Sequence, residues 1–110
     1  MSVKELYESF GGDYNRAVQT MMNDAFISRM LTKFIEKNSY DDVILSYQNN
    51  DMKGIFEASH SLKGVCGNLS LTPMFNVLVE MVEPLRAKVV MDYSPLFNEL
   101  KRLFNELKSL

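Results

Sequence analysis

Apolar residues recur every three or four positions along almost the whole chain, and no stretch alternates apolar with polar residues as a half-buried strand must. The pattern predicts an all-α protein. Val3 to Phe10 reads as a short helix stopped by Gly11-Gly12, and Asp13 opens a second short one through Met22. Asn23 is placed to cap a third, whose stripe is Phe26, Ile27, Met30, Leu31, Phe34 and Ile35. Lys37-Asn38-Ser39 breaks that helix. Ser39 with Asp42 three residues later resembles an acidic capping box, which predicts a fourth helix from Tyr40 to about Gln48. Asn49-Asn50 ends it, and Asp51 can cap the next.

The fifth segment, about Met52 to Leu69, divides into two sides. At 100° per residue, Met52, Ile55, Phe56, Leu62, Val65, Cys66 and Leu69 share one broad apolar side, whereas Glu57, His60, Gly64, Gly67 and Asn68 fall opposite. Thr72-Pro73 and Ser94-Pro95 mark two further helix starts, with the hydroxyls expected to cap free amides and the prolines giving up a donor that the first turn does not use. The sixth helix is expected to pack through Met74, Leu78, Met81, Leu85 and Val89, with Pro84 kinking it or ending it early. In the last, Leu96, Leu100, Leu103, Leu107 and Leu110 form the stripe, and Phe97 and Phe104 widen it. Short loops between amphipathic helices favour an antiparallel four-helix bundle. We expect one domain over residues 1–110, with short N-terminal helices in 1–23 covering one end and the bundle helices in 24–110.

Composition narrows the function. A chain of 110 residues can bury roughly two thirds of its unfolded surface in one core. The net charge of -2 with scattered Lys and Arg argues against nucleic acid, which needs clustered cations. The longest uncharged stretch, Gly64 to Val79, is too short and too polar to span a membrane. Cys66 is the only cysteine and has no disulfide partner within the chain, and the amino terminus resembles neither a signal peptide nor a transit peptide, so a reducing cytoplasm is the expected compartment. One His and one Cys do not make a usual zinc site. No glycine-rich phosphate loop or nucleotide-binding box is present, so autophosphorylation from ATP is not expected.

The candidate chemistry lies in Ser59-His60-Ser61-Leu62-Lys63-Gly64. His60 is the only histidine, and it falls on the polar side of a helix. An exposed imidazole near neutral pH keeps a ring-nitrogen lone pair that can attack phosphorus. Gly64 lies one turn on, and its missing side chain leaves room for another protein to reach the imidazole. Lys63, on the flank, can extend toward phosphoryl oxygens. Asn68 continues the exposed side and is expected to bond near the helix end. Each has a plainer reading: a solvated surface histidine, a solvated lysine, and glycines that admit a neighbouring helix. Cys66 reads as core, and Glu80 and Glu83 do not read as a catalytic pair.

The run from Ser59 to Leu69 resembles the signature of histidine-containing phosphotransfer (HPt) domains, in which the histidine is followed by Lys at plus three, Gly at plus four and Asn at plus eight. His60, Lys63, Gly64 and Asn68 occupy those places. Two positions depart from the pattern: Ser59 stands where alanine often precedes the histidine, and Ser70 where glycine is common, so a changed exit from the helix is expected there. The resemblance implies a phosphorelay carrier. His60 would be the phosphoacceptor, Lys63 its electrostatic support, and Glu57, Ser61, Gly64, Gly67 and Asn68 would form the docking face. The partners implied are response-regulator receiver domains, which would bring Mg2+, with a hybrid histidine kinase as a candidate upstream source. The chain itself would carry no cofactor, and a closed bundle of this size is expected to be a monomer. A helical adaptor that docks receivers without accepting phosphate, and the dimerisation helices of a histidine kinase, remain the alternative readings.

Overall fold

The computed structural model describes residues 1–110 and contains seven helices and no strand. They are α1 (Val3–Phe10), α2 (Tyr14–Met21), α3 (Asp24–Glu36), α4 (Ser39–Gln48), α5 (Met52–Asn68), α6 (Thr72–Arg86) and α7 (Ser94–Ser109). Local chemistry explains several of the boundaries. Asp13, Asn23 and Asp51 each accept a hydrogen bond from the amide three residues on, at 3.1, 2.8 and 3.0 Å, which satisfies donors that a first turn leaves free. Gly11 closes α1 at φ 88°, a left-handed conformation that costs glycine nothing.

Three expected hydroxyl caps are corrected by the structure. Ser39, Thr72 and Ser94 are each the first residue inside their helix, and the cap lies before them. Asn38 caps α4 by accepting from the Tyr40 amide at 2.7 Å, while its own amide group donates to the Phe34 carbonyl at the end of α3. Asp92 accepts from the Ser94 amide at 2.9 Å, and hydrogen bonding to Ser94 holds the Asp92 carboxyl below the usual carboxylate range. Two of the hydroxyls serve tertiary contacts instead, with Ser39 Oγ 3.1 Å from Ser61 Oγ and Ser94 Oγ 2.9 Å from Tyr47 Oη, while Thr72 Oγ1 donates locally to the Ser70 carbonyl at 3.5 Å.

The bundle is built from α4, α5, α6 and α7, consecutive helices that pack on one another. Aromatic contacts close it. Tyr40 stacks on Phe104 at 4.1 Å and Tyr47 on Phe97 at 4.0 Å, so the start of α4 meets the later part of α7 and its end meets the beginning, an antiparallel pair. The fully buried residues of the core include Leu62 and Cys66 from α5, Met74, Leu78 and Met81 from α6, and Leu100 and Leu107 from α7. α3 packs chiefly on α1 and α2 and touches α7 edge-on through Phe34 and Phe104 at 5.8 Å, while its Ile27, Leu31 and Phe34 join the same core. The N-terminal helices cover the α5–α6 turn: buried Tyr7 donates its hydroxyl proton to the Leu69 carbonyl at 2.7 Å, and the Asp13 amide donates to the Ser70 carbonyl at 3.0 Å.

α6 runs through Pro84 and is closed by Lys88 in the left-handed region at φ 58°, with the Val89 amide donating to the Pro84 carbonyl at 2.9 Å. The helix stops at Arg86, two residues past the proline, which leaves Val89 outside it and exposed, not in the core stripe. In α5, Met52 and Val65 are likewise exposed and Phe56 is only half-buried, because the apolar side of this helix is wider than the surface its neighbours cover.

The two departures noted at Ser59 and Ser70 turn out to share one property. Both hydroxyls are buried and neither has a hydrogen-bond partner. Rather than redirecting the chain, Ser70 itself adopts φ 53°, the left-handed region that glycine enters without a Cβ clash. Ser59→Ala and Ser70→Gly are therefore each expected to stabilise the fold by about 1 kcal/mol, the first by removing an unpaired hydroxyl and the second by also removing backbone strain. Urea denaturation followed by circular dichroism reads this as a raised midpoint at unchanged slope; a lowered midpoint in either variant would show that its hydroxyl is bonded in solution.

Candidate functional site

His60 sits at the middle of α5, nine residues into a helix whose register is held by Ile55, Leu62 and Cys66 in the core. Ser59, immediately before it, is fully buried, while His60 and Ser61 are exposed. That boundary between adjacent residues directs the imidazole into solvent. Phe56, one turn earlier, lies nearly parallel to the ring at 5.8 Å between centroids and 11° between planes. Phe56 was assigned to the buried side by periodicity, yet it forms the shelf under the imidazole.

Gly64 and Gly67, which look equivalent in the sequence, differ in space. A Cβ built at Gly64 would meet nothing within 4 Å, so the surface beside His60 is open. At Gly67 it would stand 3.2 Å from the Phe75 ring of α6. The bare Cα of Gly67 lets the Phe75 ring of α6 approach, whereas Gly64 leaves unfilled space over the helix.

Lys63 is half-buried on the flank of α5 and pairs with no carboxylate, since the four ion pairs of the chain involve Lys53, Arg86 and Arg102. Its charge is thus not neutralised by a neighbour within the protein. Glu57 is exposed and lies 3.9 Å from Lys53, an i, i+4 contact of little energetic weight at that exposure. Ser61 bonds to Ser39 and so ties α5 to the start of α4. Asn68 is exposed and does not bond at the helix end as expected. Main-chain bonds close that end, from the amides of Leu69, Ser70 and Leu71 to the carbonyls of Val65, Gly67 and Cys66. Asn68 instead borders an open hollow of about 350 Å³ together with Met30, Lys33, Lys37 and Val65.

Two further groups next to this surface had no signal in the sequence reading. Arg86, at the end of α6, places its guanidinium carbon 5.6 Å from the Phe56 ring centroid, and Glu83 lies 3.9 Å from that guanidinium. No local pattern joins residues 56 and 86; only the packing of α5 on α6 does. No three His, Cys, Asp or Glu side chains converge as a metal-binding group.

Cys66, two turns from His60, faces the opposite way. It is fully buried, and burial pushes its thiol up to about 12. Iodoacetamide at neutral pH should therefore leave the native protein unmodified and alkylate it fully in denaturant; rapid labelling of the folded chain, followed by mass spectrometry, would contradict this placement.

The arrangement amounts to an exposed imidazole on a rigid helix, an open glycine surface one turn on, and an unpaired cation at the side. Such a site can receive a group delivered by a second macromolecule. No curated protein and no solved structure gave a match to the chain. The family model of the Hpt domain matches residues 13–110, which include α2 to α7 and every residue of the site. The chain belongs to the Hpt domain family.

Proposed function

We propose that His60 accepts a phosphoryl group from the aspartyl phosphate of a response-regulator receiver domain and passes it to the aspartate of another. Membership in the Hpt domain family carries a histidine phosphotransfer role in phosphorelays. The observation that supports His60 as the acceptor is its solitude and setting: it is the only histidine, it stands exposed on α5, and the surface over Gly64 beside it is empty.

In the forward step a ring-nitrogen lone pair of His60 forms an N–P bond as the P–O bond to the receiver aspartate breaks. The aspartate departs as a carboxylate with the bonding pair, and the proton on the second ring nitrogen can pass to solvent. Phosphoryl transfer of this kind depends on in-line alignment and on charge stabilisation. The helix supplies alignment by fixing the imidazole on a packed cylinder. Lys63, unpaired, offsets part of the negative charge that arrives. Mg2+ and an electrophilic lysine belong to the receiver in this reading, so the carrier needs only a nucleophile and an open approach. Glu57, Ser61 and Asn68 border that approach, with Gly64 at its centre.

Incubation with a radiolabelled, phosphorylated receiver tests the reading. The expected product is a labelled chain whose adduct is labile to acid and stable to alkali, as an N–P bond to histidine is, and mass spectrometry should find it on His60. A stable complex that never acquires label would identify a docking adaptor instead.

A further inference from the structure

We infer that Phe56 is a positioning residue for the reaction at His60 and that Arg86 of α6 holds it in place. The inference rests on the reading of His60 as the phosphoacceptor and adds the device that orients its ring. In an α-helix the side chain at a given position leans back toward the residue four places earlier. His60 therefore leans over Phe56, and the two rings lie nearly parallel, 11° apart in plane and 5.8 Å apart in centroid. An exposed imidazole without such a shelf would divide its time among several rotamers, and most of them point neither ring nitrogen along the line of attack. Stacking on Phe56 removes many of those orientations before a partner arrives.

Phe56 is half-buried and packs against the edge of the core, which leaves part of its ring open to a neighbour from α6. Arg86 adds a contact on that open part: its guanidinium lies 5.6 Å from the Phe56 centroid, and its 3.9 Å pair with Glu83, one turn earlier on α6, is exposed and adds only weakly to it. Glu83, Arg86, Phe56 and His60 thus make a continuous run of contacts from one helix to the next. The second helix fixes the orientation of a nucleophile carried by the first.

Because His60 is the only histidine, its Cε1 proton should give a single resolvable NMR signal that the ring current of Phe56 displaces. The test compares wild type with Phe56→Leu, Phe56→Tyr and Arg86→Gln, using two phosphodonors. One is the phosphorylated receiver. The other is phosphoramidate, a small molecule from which His60 takes the phosphoryl group as the P–N bond breaks and ammonia leaves. Phe56→Leu should move the imidazole signal and slow labelling from both donors about three- to tenfold, with rates normalised to folded protein by circular dichroism. Phe56→Tyr, which keeps the ring, should restore both. Arg86→Gln should move the signal in the same direction and slow both donors about twofold.

Wild-type rates with both donors in Phe56→Leu would overturn the inference. So would a loss confined to the receiver, since that would make Phe56 a contact of the partner. If the wild-type chain is labelled by phosphoramidate but never by a receiver, the relay reading fails while the phosphoramidate arm still decides the role of Phe56.

Discussion

Replacing His60 by Gln is expected to abolish labelling from a phosphorylated receiver while leaving the fold intact. The loss should be complete because no second imidazole exists to take over. Glutamine is as good a helix former as most residues, and it offers the partner a side chain of similar reach with no nucleophilic ring nitrogen. The fold should tolerate the change, since His60 is exposed and lies outside the core. Surface substitutions of this kind shift stability by about 0.5 kcal/mol or less, a few degrees in midpoint for a domain of this size. Thermal denaturation and transfer assays on the same sample separate the two effects. Persistent acid-labile label on His60→Gln would mean that the acceptor lies elsewhere, and a collapse of helical signal would mean that the imidazole is structural.

The second large effect is expected at Gly64, and its two readouts should move in opposite directions. Gly64→Gln places its Cβ where nothing lies within 4 Å, so the folded chain accommodates it without strain. Within a helix, replacing glycine by a residue of ordinary propensity stabilises by about 0.5–1 kcal/mol, so the thermal midpoint should rise. Transfer from a receiver should nevertheless fall at least about tenfold, because a long side chain one turn from His60 occupies the approach that a second protein needs. Phosphoramidate, being small, should label the variant at close to the wild-type rate. Equal slowing with both donors would move the effect from access to chemistry, and unchanged receiver transfer would remove the access argument altogether. Gly67 offers the contrast. A side chain there meets Phe75 at 3.2 Å, so its substitution acts first on the packing of α5 against α6.

Much of the fold was legible because its determinants are local. Asn23 and Asp51 cap the helices they precede, Gly11 stops α1, and the prolines after Thr72 and Ser94 mark where α6 and α7 begin. Of the three caps missed by one residue, two have a tertiary counterpart: Ser39 and Ser94 have the right chemistry, but their hydroxyls are engaged by Ser61 and Tyr47, whereas Thr72 bonds locally to the Ser70 carbonyl. Likewise α3 has an amphipathic stripe like any bundle helix, and nothing in that stripe says whether it faces α7 or the N-terminal helices.

What the order of residues determined by itself is the all-helical class, nearly every helix boundary, and the side of α5 on which His60 and Gly64 lie. All of these follow from periodicity and from hydrogen-bonding groups within a few positions of each other. Tertiary structure alone decided which apolar residues of α5 stay uncovered, which of two similar glycines is open and which is packed, and that Arg86 meets Phe56 beneath the imidazole. Periodicity records which residues share a face. How much of that face a neighbour covers, and which side chain comes across from the neighbour, depends on how the helices pack, and no spacing along the chain encodes it.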